Sequence, residues 1–123
     1  MAYVAPNNLI GEFTVNVALS STSATSLLSN AASSGRVLKV LSIVAANVDG
    51  TNAADISVSR YSAAALGGTA FPIASTISVP ADASLIVSDV TTPVVLAANT
   101  SLGATAGTSN TITMTVTYQE FAG

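Results

Sequence analysis

Glu12, Asp49, Asp55, Asp82, Asp89 and Glu120 are the carboxylates of this 123-residue sequence, and Lys39 is its only lysine. There is no histidine and no cysteine. Ser–His–Asp and Cys–His catalysis therefore have no residues to use, and neither has a thiolate metal site. A Ser–Lys pair would need Lys39. That residue lies in the most strand-like segment of the chain, where an exposed or snorkelling lysine is the ordinary outcome. Two carboxylates suffice for glycoside hydrolysis, but four of the six lie in or beside turn sequences, where aspartate is the expected residue. Asn47, Asp49, Asn52 and Asp55 could offer oxygens to Ca²⁺, yet their spacing lacks the acidic run and closing glutamate of an EF-hand loop. A polar turn accounts for them. Gly67-Gly68 has no lysine and leads into a strand, so it is no phosphate loop. Asn99-Thr100-Ser101 has the form of a glycosylation sequon, which a cytoplasmic product would not use. These residues point away from an enzyme and call for no cofactor.

The elements that position them are strands. Val, Ile, Leu and Phe number 34 residues, enough for a core of aliphatic side chains without tryptophan. Charged residues make up only 7% of the chain and the net charge is −3. An ordinary soluble domain carries roughly 25% charged residues and uses them to keep sheet edges apart. Here 17 serines and 15 threonines supply the polar surface. The simplest reading is a surface normally covered by neighbouring molecules. Three basic residues, Arg36, Lys39 and Arg60, are too few to neutralise a nucleic-acid backbone. No apolar run is long enough for a transmembrane helix. Met1–Asn8 lacks the regions of a secretory signal, so synthesis in a cytoplasm is expected.

Alternation with period two dominates. In Asn110–Gln119, Ile112, Met114, Val116 and Tyr118 share one face, and Thr111, Thr113, Thr115 and Thr117 share the other. Phe13, Val15, Val17 and Leu19 alternate in the same way. Arg36–Asn47 is apolar on both faces, which predicts a central strand buried on both sides. An Asp49-Gly50 turn follows, with Ala54–Tyr61 as its hairpin partner. Further strands are predicted at Phe71–Val79, Ser84–Val90, Val94–Leu96 and Leu102–Ala106. Thr25–Ser29 reads as a short strand inside the Ser/Ala-rich stretch 20–35, with a short helix as the alternative. The prediction is an all-β fold, a single antiparallel β-sandwich of Ig-like or jelly-roll type with seven to eight short strands. An N-terminal arm would occupy residues 1–8 and the sandwich residues 9–123.

Candidate contact residues follow from low charge. The row Thr111, Thr113, Thr115 and Thr117 would face either solvent or another subunit. Tyr3, Val4 and Pro6 could belong to a free tail or to an arm docked on a neighbour.

Several segments carry a resemblance: Val40–Thr51, Ala54–Ser59, Phe71–Leu85, Pro93–Leu96 and Thr113–Tyr118. In this order they resemble small virion structural proteins of tailed bacteriophages, particularly of marine and cyanobacterial phages, over roughly residues 9–120. The chain departs from that pattern at Leu96-Ala97-Ala98-Asn99, where an acidic turn is usual, and in the stretch 20–35. The resemblance implies a capsid decoration or cement protein. Such a protein would sit on the capsid exterior of a virion, bridge capsomers of the major capsid protein and form a homo-oligomer, a dimer or trimer. Neck, tail or fibre components are the alternatives within the virion. Outside it, a carbohydrate-binding or adhesin module would need an aromatic platform from Tyr3, Tyr61 or Tyr118.

Overall fold

The computed structural model describes residues 9–122, and these form nine strands without a helix. The strands are β1 (Leu9–Leu19), β2 (Thr25–Asn30), β3 (Arg36–Asn47), β4 (Ala54–Ala63), β5 (Gly67–Val79), β6 (Ser84–Ser88), β7 (Val94–Leu96), β8 (Thr100–Ala106) and β9 (Ile112–Ala122). They make two antiparallel sheets. One runs β1-β9-β3-β6, with β7 also on β3, and the other runs β2-β8-β4-β5. Consecutive strands mostly change sheet, which is the strand order of a jelly roll and selects that type over the Ig-like one. The ninth strand arises because β6 and β7 share a single edge. β7 pairs with Leu38–Val40 of β3 and β6 with Ile43–Ala46, both antiparallel.

The core lies between the sheets. The inward residues of β9 are Ile112, Met114 and Val116, each at most 1% exposed. Beside them in the same sheet are Val40 and Ile43 of β3, and facing them from the other sheet are Ile56 and Val58 of β4 and Leu102 of β8. Small side chains, Ala104 and Ala106, fill the inner face of β8 beside them. Alternating large and small residues lets the two layers close to packing contact.

Two expectations need correction. β3 is central in its sheet, but only one of its faces is buried: Val37, Val44 and Ala46 are half-buried on the outer face. Among the described residues no third layer covers that side. β4 is not the hairpin partner of β3. The Asn47–Asn52 turn carries the chain across to the other sheet, and β4 pairs with β5 and β8 instead. Asn47 fixes this crossing, because its amide donates to the carbonyls of both Asn52 and Val79. The strand predicted at Phe71–Val79 is part of β5, in which only Val79 is buried. β5 is an edge strand, and its register breaks opposite Ile56–Val58, where Thr76 takes φ 53° and gives its N–H to the Ser57 hydroxyl. A β-branched residue in the left-handed region is uncommon and marks a built-in bulge.

Candidate assembly interface

The groups that could do chemistry are spread around the sandwich and engaged in its turns. Asp49 accepts the backbone N–H of Thr51 and of Asn52, and its own N–H donates to Asn47 Oδ1. Those N–H groups favour the charged carboxylate and hold its pKa below the usual value, the Thr51 bond contributing most. Asp89 does the same in the turn between β6 and β7, where the hydroxyl and then the N–H of Thr91 lower its pKa. Glu12 accepts from the Gln119 amide, and Glu120 pairs with Arg36 at 3.2 Å. Asn99, of the sequon, holds φ 61° and accepts the N–H of Ala64. Among the described residues no three acidic, histidine or cysteine side chains come together as a metal site, and the surface opens into no pocket.

Tyr61 and Tyr118 are half-buried. Tyr61 packs over Gly103, where a Cβ would approach its ring to 3.0 Å. Tyr118 stacks against Phe13 with ring centroids 5.5 Å apart. Both rings are thus used within the fold.

What remains is the surface itself, and apart from Val48 and Val90 in turns its exposed large apolar side chains sit on edge strands. On β1, an outer strand, Leu9, Ile10 and Phe13 are exposed. On the opposite side of the same sheet, Ile86 of β6 is 64% exposed and Val95 of β7 is 53% exposed. β5, the edge of the other sheet, exposes Phe71, Ile73 and Ile77. Soluble sandwiches protect such edges with charges, prolines or bulges. β5 carries both Pro72 and the Thr76 bulge. β1 pairs with β9 without a break from Gly11 to Leu19, and holds a single charge, Glu12. Period-two reading of the sequence marks the apolar positions but not which strands lie outermost, so these edges were not among the residues expected to make contacts.

Three of the four threonines form a row. Thr113, Thr115 and Thr117 lie half-buried on the outer face of the β1-β9-β3-β6 sheet. β1 holds two of their hydroxyls: Thr117 bonds with Thr14 at 3.0 Å, and Thr115 donates to Asn16 at 2.9 Å. Thr111 is apart from the row. It precedes β9, is buried, and its hydroxyl donates to the Thr108 carbonyl. Tyr3, Val4 and Pro6 lie outside the described residues.

No family model and no curated protein matches the chain. Among solved structures, a chain of the Bacillus endospore appendages, which "form a novel family of disulfide-linked pili", superposes with a TM-score of 0.51 at 13% identity. The superposition covers 99% of this chain and 96% of that one. At this identity the likeness is one of fold.

Proposed function

We propose that this chain is a non-enzymatic structural subunit, a unit of a protein assembly that works by packing against copies of itself and other structural proteins. The observation that carries the reading is the chemistry of its edges. Strands that end each sheet present apolar side chains and open hydrogen-bonding groups in a chain that is only 7% charged. A fold of this kind shared with an appendage protein supports the same role.

Two finer readings share this premise. The first is a decoration or cement subunit on the exterior of a phage head, with the major capsid protein as partner. It draws on the sequence resemblance and on the jelly-roll order, which capsid domains also use. The second is a subunit of a surface appendage, which draws on the fold likeness alone. Having no cysteine, this chain would have to hold such an appendage together without disulfides of its own.

Light scattering on the purified protein over a concentration series, with electron microscopy of the same samples, tests the premise. Assembly into oligomers or filaments is expected. A monodisperse monomer at all concentrations would remove self-assembly. Binding to undecorated phage heads, against none, separates the two finer readings.

A further inference from the structure

We propose that copies of the chain join head to tail, with β1 of one copy adding antiparallel to the β6–β7 edge of the next. The sheet β1-β9-β3-β6 then continues through the contact. This rests on the self-assembly reading above and names the surface and the partner, a second copy.

Strand direction is the first argument. β9 is antiparallel to both β1 and β3, so β1 runs parallel to β3. β6 and β7 are both antiparallel to β3 and follow one another along it. They therefore run opposite to β1. A second copy set beside the first in the same orientation brings its β1 against β6–β7 in the antiparallel sense, the more stable pairing.

The edges also match in length. β1 pairs without interruption over Gly11–Leu19, and β6 and β7 together span Leu38–Ala46 of β3, nine residues in each case. The other sheet offers no such match. Its edges are β2, which has six residues, and β5, interrupted by Pro72 and the bulge at Thr76.

Charge is the third argument. Glu12, Gln119, Lys39 and Val95 stand in one rank across the sheet. Among the described residues neither Glu12 nor Lys39 has an ion-pair partner, the one pair being Arg36–Glu120. In the continued sheet, Glu12 of the next copy lies beside Val95. It is then two strand spacings, about 10 Å, from Lys39, as Glu12 of Lys39's own copy is on the other side across Gln119, so that Lys39 stands between two glutamates and the long side chains can meet over the valine. In the same way Asn16, Thr115, Val44 and Ile86 share a rank, so Asn16 of the next copy falls beside Ile86. The contact covers Ile86 and Val95 and joins different surfaces, so it repeats to give a filament or closes as a ring.

Because the chain has no cysteine, single cysteines report the contact cleanly. Paired antiparallel residues stand about 4.5–5.5 Å apart between Cα atoms, within the range a disulfide spans. Asn16→Cys and Ile86→Cys proteins, mixed under oxidising conditions, are expected to form a linked pair, and neither alone is expected to. Links within a single variant would overturn the proposal in favour of like-edge pairing. Absence of links in a mixture that assembles like the unaltered protein would also overturn it. As a second measurement, Lys39→Glu is expected to weaken self-association by about tenfold, as a loss near 1.4 kcal/mol would. Glu12→Lys combined with Lys39→Glu is expected to restore it. Unchanged association of Lys39→Glu, or no rescue, counts against the contact. Unaltered protein that stays monomeric would instead defeat the self-assembly reading itself.

Discussion

The side-chain amide of Asn47, at the end of β3, donates to the carbonyl of Val79, at the end of β5, across 3.0 Å. The bond ties the ends of strands in opposite sheets. A second asparagine does the same at the other end of the sandwich. Asn30, closing β2, donates to the carbonyls of Arg36 and Leu96 in the facing sheet. Both asparagines are 3% exposed. They fasten the two layers where the chain crosses between them.

Asn47→Ala and Asn30→Ala each leave one buried and one part-buried carbonyl without its donor. Each is expected to cost about 1–3 kcal/mol. Denaturant unfolding checks the loss, which should be read as a lower midpoint at unchanged slope.

Gly103→Ala is expected to destabilise the fold by about 1–3 kcal/mol, as overpacking does. A Cβ there would come within 2.7 Å of Leu66 Cδ2 and 3.2 Å of the Thr25 carbonyl oxygen, and backbone cannot step aside as a flexible side chain can. Thermal unfolding reports this directly. A Tm equal to that of the unaltered protein would show that the β4–β5 turn moves freely over β8.

Val116→Asp and Ile112→Asp place a charge between the sheets with no partner, at a cost of several kcal/mol. Neither protein is expected to fold. Ile86→Lys changes an equally apolar strand residue on the exposed edge, and its circular dichroism spectrum should match that of the unaltered chain.

Thr113→Ala with Thr115→Ala should leave the chain folded, since both hydroxyls are on the outer face. Thr115 gives up a bond to Asn16 that is exposed, at a net cost of about 1 kcal/mol or less. If the row meets a partner, light scattering will show weaker assembly. Unchanged assembly assigns the row to solvent.

Asp49 and Asp89 have pKa values below that of an unfolded aspartate, about 3.9. Their folded states release protons more readily than the unfolded chain, so stability from them is fully present above that value. It falls away as pH drops below it and through the depressed folded values. Asp49→Asn and Asp89→Asn should each flatten the acid limb of stability against pH, and leave the slope above pH 5 unaltered. An acid limb that keeps its full slope in both variants would place its origin elsewhere.

Alternation in β9 and β1 was legible in the sequence because period two is a property of a strand alone, whatever it pairs with. Thr25–Ser29, read as a short strand with a short helix as the alternative, lies in β2 (Thr25–Asn30). Residue types alone also removed histidine and thiol chemistry, and low charge pointed to a covered surface. Which strands neighbour each other was not local. An Asp-Gly turn suits a hairpin equally well as a crossing between sheets, and it is the buried Asn47 amide, with acceptors at Asn52 and Val79, that selects the crossing. Burial of the outer face of β3 was overestimated for a related reason. Apolar side chains record what a strand could bury, while the layers present decide what it does bury. That β1 and β6–β7 run in opposite directions as free edges of one sheet follows only from the tertiary pairing, because strand order sets which backbone groups are left without a neighbour.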